Sequence, residues 1–331
     1  MVLKRILVIQ TAFIGDVILA TALLENLHQS FPGARIDILV RKGNEGMFEN
    51  HPFLNEVLIW KKKEGKYKSL WKILKQIRAN QYDWVINVQR FGSTGFLTSF
   101  SDAPLKTGFD KNPFSFMFTN RVPHVITEGI HEINRNHALI ANAVKTEVCK
   151  PKLYPSNEDF DFVKKFQDKP YICIAPASVW FTKQYVVEGW IDLINRLNSR
   201  YRILLLGGLS DLNLADEIIG KIENHQNTES LIGKLSFLQS AALMKGSVMN
   251  FVNDSAPMHI CSAVNAPVTA VYCSTVPEFG YGPLSENSHV IEVLEKLNCR
   301  PCGLHGHKKC PEGHFRCAKD IQTHQLLEVL I

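Results

Sequence analysis

The chain of 331 residues contains no run of 18 apolar residues, so nothing in it reads as a transmembrane helix. It lacks G-x-G-x-x-G and G-x-x-x-x-G-K-[ST], which counts against a dinucleotide dehydrogenase and a P-loop nucleotidase. It has no collagen-like period and no low-complexity tract, and its 45% hydrophobic and 21% charged residues are ordinary for a folded globular protein. Charge of one sign is scarce too. The 37 Lys+Arg against 32 Asp+Glu leave a net +5, too small an excess to indicate nucleic acid by itself. A clean signal peptide is also missing, because Gln10, Thr11 and Asp16 interrupt the apolar start and no clear cleavage site follows. That segment reads as a first buried strand, which places the protein in the cytoplasm and its eight Cys in the reduced state.

What is present is an alternation of short apolar runs with segments of helical period. Strands are expected at Ile6–Gln10, Ile36–Val40, Val57–Trp60 and Trp84–Val88, then at Tyr171–Ala175, Ile203–Leu206, Val248–Val252 and Val268–Cys273. Helices are expected at Asp16–Ser30, Gly43–Asn50 and Ser69–Ala79, then at Val186–Asn198, Asp211–Glu223, Ser236–Met244 and Ser255–Val264. Such alternation implies parallel sheets covered by helices. It occurs twice, so the fold class is α/β with two Rossmann-like domains. Pro151, Pro155 and Pro170 punctuate a polar stretch between the halves, giving domains of 1–155 and 156–331. Two such domains are expected to face across a cleft, with ligands at the carboxyl ends of the strands.

Chemistry is therefore sought at four strand-to-helix junctions. At the first, Gly15 permits a tight turn and Asp16 falls near a helix N-terminus, as a general base or merely a first-turn acid. At the second, Ser178 and Thr182 offer hydroxyls and Lys183 a point charge, which suits a diphosphate or simply a solvated loop. At the third, Gly207 and Gly208 allow close approach of a ligand, and Asp211 can accept from a ribose hydroxyl or cap the next helix. At the fourth, Asp254, Ser255, Ala256 and His259 open a helix with Pro257 in its first turn. That end can hold a phosphate, although Asp254 and Ser255 can be caps only and His259 a packed residue.

Three further features stand out. Residues 61–78 carry eight Lys/Arg and one acid, Glu64, with an apolar stripe of Leu70, Trp71, Ile73, Leu74 and Ile77. This is either a helix packed on a sheet or a patch that meets anionic lipid. Seven Phe between Phe91 and Phe118 suggest a core or lid, with Arg90, Lys106 and Lys111 as basic groups nearby. Cys299, Cys302, Cys310 and Cys317, with His305, His307 and His314 among them, read as a zinc site, as packed thiols or as disulfides. Cys149, Cys173, Cys261 and Cys273 read as core.

Taken together, the junctions resemble glycosyltransferase family nine, the bacterial heptosyltransferases of lipopolysaccharide core synthesis. The matching pieces are IGDVILATALLENL, APASVWFTKQYVVEGW, LLLGGLSD, NDSAPMHICSA followed by APVTAVY, and the tail CRPCGLHGHKKCPEGHFRC. The resemblance implies a GT-B fold, with acceptor bound by the N-terminal domain and an ADP-sugar, typically ADP-heptose, by the C-terminal one. It implies inverting transfer to a lipid A–core glycolipid without metal or other cofactor, at the inner face of the membrane, with no nucleic-acid partner. It matches Asp16 to the catalytic base, and Lys183 with Ser178 and Thr182 to the phosphate loop. Asp254, Ser255 and His259 match the donor motif, with Ala256 standing where the family has Gly. The departure at Ala256 keeps another nucleotide-sugar in play, and a non-catalytic binder of the same fold is the alternative of a different class.

Overall fold

The computed structural model describes residues 3–62, 64–126 and 129–330. The chain divides into two compact units, Met1–Tyr154 and Pro155–Ile331. The first unit holds strands β1 (Arg5–Ile9), β2 (Arg35–Arg41), β3 (Leu54–Trp60), β4 (Trp84–Asn87), β5 (Leu105–Phe109) and β6 (Asn120–Val122). They form one sheet in the order β3-β2-β1-β4-β5-β6, parallel at every pairing. Its helices are α1 (Ile14–Ser30), α2 (Lys66–Ala79), α3 (Gly92–Ser99) and α4 (Glu132–Ala138).

The second unit repeats the plan. Its strands are β7 (Tyr171–Ala175), β8 (Arg202–Leu205), β9 (Thr228–Ser230), β10 (Met249–Asn253), β11 (Val268–Tyr272) and β12 (Ser288–Glu292). They lie in the order β12-β11-β10-β7-β8-β9, again all parallel. Helices α5 (Asn157–Val163), α6 (Val187–Leu197), α7 (Leu212–Ile219), α8 (Phe237–Lys245), α9 (Ala256–Val264) and the short α10 (Arg316–Lys319) and α11 (Thr323–Leu327) complete it. Counted within each unit, both sheets follow the doubly wound order 3-2-1-4-5-6. The strand order reverses between β1 and β4, and between β7 and β10.

The central strands are apolar because parallel sheets are covered on both faces. All five residues of β7, β10 and β11 are buried. Helix α1 is buried without interruption from Val17 to Leu27, so it shows no clean amphipathic stripe. On α2 the stripe Ile73, Leu74 and Ile77 is buried against Leu7, Leu39 and Val85 of the sheet. The apolar positions of 61–78 are thus mostly core. Trp71 is 52% exposed, while Lys63 and the Lys66 side chain lie outside the described residues.

Several expectations are corrected. Gly43–Asn50 is not a helix but contains one short 3₁₀ turn at Glu45–Phe48. Gly15 makes no turn and is the second residue of α1. Cys149 is not core; it is half-buried in an irregular segment where its N–H donates to Asn26 Oδ1 at 3.1 Å. Phe109 and Phe118 are buried as a core requires, but Phe91 and Phe116 are exposed.

Candidate active site

In the first unit the loop between β1 and α1 emerges beside the point where the strand order reverses. Its backbone is held by polar side chains from three neighbouring segments. Thr11 Oγ1 donates to Gln89 Oε1, in the loop after β4, at 2.6 Å. Asn44 Nδ2 donates to the Ala12 carbonyl at 3.1 Å. Lys62 Nζ donates to the Thr11 carbonyl at 3.1 Å and to its hydroxyl at 2.9 Å. That ammonium also lies 4.6 Å from the Trp60 ring centroid. Burial, then the charge of Arg41, lowers the Lys62 pKa to about 8. Asp16 sits half-buried in the first turn of α1, where the helix dipole favours a carboxylate. Asn44, Lys62 and Gln89 were not singled out by the sequence as holding this loop, because each is polar and isolated in its own segment.

In the second unit the corresponding point lies between β7 and β10, and it brings two of the expected residues together. Lys183, in the 3₁₀ turn Phe181–Lys183 after β7, places Nζ 2.6 Å from Asp254 Oδ2, just after β10. The pair is enclosed, with side chains 15% and 6% exposed. Thr275, after β11, donates its hydroxyl to the same Asp254 oxygen at 2.6 Å. The fully buried Asn253 ties the loops together. Its Oδ1 accepts from the Tyr185 N–H at 2.9 Å and its Nδ2 donates to the Pro176 carbonyl at 2.7 Å. A buried amide closing an apolar strand was the available sequence signal for Asn253. Thr275 carried none.

Ser255 is the N-cap of α9, yet its side chain caps nothing in the helix; its hydroxyl donates back to the Asn253 carbonyl at 3.3 Å. Ala256 is the first helical residue, and His259 is buried on the same helix. α9 thus begins two residues after Asp254 of the Lys183–Asp254 pair, although Pro257 in its first turn has no N–H and the Met258 N–H donates to the Ser255 carbonyl at 3.1 Å.

Other expected donor residues stand differently. Thr182 is 1% exposed, and its hydroxyl is occupied by the His307 N–H at 2.7 Å and by Ser274 Oγ at 3.0 Å, so it is not open to a diphosphate. Ser178 remains in the loop, with its carbonyl accepting from Gln184 Nε2 at 2.7 Å. Gly207, Gly208 and Asp211 follow β8, one strand away from the reversal. There Asp211 Oδ2 accepts from the Gly208 N–H at 2.8 Å, so the carboxylate closes its own turn. A Cβ at Gly207 would come within 2.8 Å of that oxygen, so its glycine serves the turn.

Near the C-terminus, Cys299, Cys302 and Cys310 are half-buried and Cys317 is buried, all as free thiols. Burial first, then the neighbouring thiols of Cys302, Cys310 and Cys299, pushes Cys317 up to about 12. Cys299 Sγ lies 3.8 Å from His314 Nε2. Among the described residues no three His, Cys, Asp or Glu side chains are grouped so as to hold a metal ion.

Two doubly wound sheets, each with a polar cluster where its strand order reverses, are a GT-B fold that the chain shares with solved glycosyl transferases. The chain superimposes on the glycosyl transferase family 9 protein of Veillonella parvula with a TM-score of 0.85 at 23% identity, covering 100% and 98% of the two chains. It superimposes on the ADP-heptose lps heptosyltransferase II of Escherichia coli with a TM-score of 0.82 at 22% identity, covering 99% and 97%. By sequence it is 28% identical to lipopolysaccharide heptosyltransferase 3 of E. coli K12 over 291 residues, 82% of this chain and 83% of that protein. The profile of glycosyltransferase family 9 (heptosyltransferase) matches residues 70–314. The chain belongs to that family and is a glycosyltransferase.

Proposed function

We propose that the protein is an inverting heptosyltransferase that moves heptose from ADP-heptose to a lipid A–core glycolipid at the inner face of the membrane. The observation that carries this reading is the enclosed Lys183–Asp254–Thr275 cluster beside the uncapped end of α9. A leaving nucleoside diphosphate gains negative charge, and a fixed ammonium beside the positive end of a helix dipole is an arrangement that stabilises it. On this reading no metal or other cofactor takes part, and the second unit takes the donor with Ser178, Lys183, Gly207, Gly208, Asp211, Asp254, Ser255, Ala256 and His259 around it. The first unit takes the acceptor. Asp16 removes the proton from an acceptor hydroxyl as its oxygen attacks the anomeric carbon, and the transition state has oxocarbenium character.

The surface offered to lipid is aromatic as well as basic. Trp71 meets Phe96 at 5.6 Å between ring centroids, Phe96 meets Phe114 at 6.1 Å and Phe114 meets Phe116 at 6.4 Å. This row ends in exposed rings at Trp71 and Phe116, and Lys68, Lys72 and Lys75 are exposed on α2 beside it. Aromatic rings with lysines suit peripheral, salt-sensitive contact with anionic lipid. Among the described residues no helix is long and apolar enough to cross a membrane.

A second reading, transfer from another nucleotide-sugar, is favoured by Ala256 at the opening of α9, where its methyl crowds a diphosphate more than glycine would. A thermal-shift panel with ADP, UDP, GDP, CDP and ADP-heptose separates the two. A ligand at about 100 times its Kd adds about 2.7 kcal/mol of stability. Stabilisation by ADP and ADP-heptose alone is expected. Stabilisation by UDP or GDP instead would replace the donor, and none by any ligand would remove the transferase mechanism.

A further inference from the structure

The Cys-rich segment 299–317 is absorbed by no step of transfer, yet it is bonded directly to the loop that carries Lys183. The Thr182 N–H donates to the His307 carbonyl at 3.1 Å, and the His307 N–H returns to the Thr182 hydroxyl at 2.7 Å. Ser274 joins the same node. Its N–H donates to the Thr182 carbonyl at 3.2 Å, and the Cys302 N–H donates to the Ser274 carbonyl at 2.8 Å. The ring of Phe181 stacks on Phe315 at 5.0 Å between centroids. Arg300 donates to the carbonyls of Cys273 at 2.6 Å and Thr275 at 2.8 Å, fixing the backbone that presents the Thr275 hydroxyl to Asp254.

Gly306 is the closest approach. A Cβ there would lie 2.9 Å from Lys183 Cγ, 3.0 Å from Thr182 Oγ1 and 3.3 Å from Trp180 Cβ. The Lys183 stem has little room to yield, because its far end is held at 2.6 Å by Asp254. Pushing Cγ aside moves Nζ.

We propose that segment 299–317 is a positioning element for the donor site. Gly306, the His307 backbone and Ser274 hold Thr182, and so hold Lys183 where a diphosphate needs its charge. None of them touches substrate. The proposal rests on the reading that Lys183 binds the donor diphosphate.

Three glycines of the segment allow a controlled test. Gly303, Gly306 and Gly313 all adopt left-handed backbone, at φ +83°, +73° and +75°, so alanine carries a similar backbone strain at each. Only at Gly306 does the new methyl meet the Lys183 loop; at Gly303 and Gly313 nothing lies within 4 Å. ADP affinity by calorimetry and melting temperature are measured on the whole protein for Gly303→Ala, Gly306→Ala, Gly313→Ala, Ser274→Ala and Lys183→Met. Gly306→Ala and Ser274→Ala are expected to weaken ADP about tenfold, the order of loss when one net hydrogen bond's worth of binding goes, while Gly303→Ala and Gly313→Ala stay within about twofold of wild type. Ser274→Ala decides the matter if Gly306→Ala does not fold. Wild-type ADP affinity in Ser274→Ala, or equal losses in all three glycine variants, overturns the positioning role. If instead Lys183→Met binds ADP as well as wild type does, the donor reading fails and takes the proposal with it.

Discussion

The Lys183–Asp254 pair makes the sharpest prediction because stability and function should separate on it. With side chains only 15% and 6% exposed, neither charge has much water to fall back on. Lys183→Met keeps the length of the stem and removes the ammonium. Asp254 is left enclosed with the Thr275 hydroxyl on its Oδ2. Breaking one side of a buried pair costs about 3–5 kcal/mol. For a unit of this size each kcal/mol lowers the melting temperature by about 3 °C, so the second unit should melt about 9–15 °C lower. Adding Asp254→Asn removes the orphaned charge but leaves a carbonyl to accept from Thr275. The double variant should therefore recover about half of the loss or more, as groups in direct contact do. It should bind ADP no better than Lys183→Met alone. Calorimetric melts of the four proteins in the cycle, with ADP titrations beside them, measure both quantities. A drop of less than about 3 °C in Lys183→Met would put the pair in the class of exposed ion pairs, worth about 1 kcal/mol or less, and the argument from burial would be wrong.

Asp16→Asn should slow transfer by about 10²–10⁴-fold while leaving the ADP dissociation constant unchanged; equal turnover would remove Asp16 from the role of base. Lys62 has a folded pKa near 8 against an ordinary 10.5, so its charge beside the Thr11 loop disappears as pH rises through 8. If that charge helps hold a phosphorylated acceptor, acceptor KM should climb above pH 8 in wild type but stay flat in Lys62→Arg, whose guanidinium remains charged; identical profiles would refute this. Between pH 8 and 10.5 the unfolded chain binds more protons at Lys62 than the folded one, so this group's contribution to stability rises with pH there. His51 follows the same sign in a lower window. Burial, then the charges of His28 and Lys152, lowers it to about 4, so its stabilising share is complete above pH 6.5 and is lost as pH falls toward 4. His51→Phe, among the rings of Phe48, Phe53 and Tyr154, should lose less stability than wild type between pH 6.5 and 4.5; an equal loss in urea titrations would contradict the assignment.

The inner strands were legible because burial on both faces leaves a run such as Tyr171-Ile-Cys-Ile-Ala with no polar residue. Of the outer strands β3 was legible, expected at Val57–Trp60, but β5, β6, β9 and β12 were not. β5 reads Leu-Lys-Thr-Gly-Phe, and its Gly108 is there because a Cβ would press within 2.5 Å of the Phe118 ring, which no local pattern announces. β9, Thr-Glu-Ser, is too short and polar to show a period. Helix α3 hid behind two glycines, of which Gly95 leaves space for the Asn112 side chain. At the site, Lys183 and Asp254 were each visible at a strand end, but their pairing follows from β7 lying beside β10, a fact of strand order. Thr182 misled for the same reason. Its partner His307 lies 125 residues further along the chain.

That last distance also has a meaning in time. Ribosomes add about 5–20 residues per second, so Thr182 is made about 6–25 s before the His307 amide that fills its hydroxyl exists. During synthesis the loop of Thr182 and Lys183 is therefore a surface loop with a hydroxyl and an ammonium open to water. β10 and Asp254 arrive first and capture the ammonium, and the Cys-rich segment closes over the loop last. The second unit acquires its sheet before the Lys183 loop is seated, and a chain cut short before residue 307 would keep all twelve strands but not the bond that seats the loop.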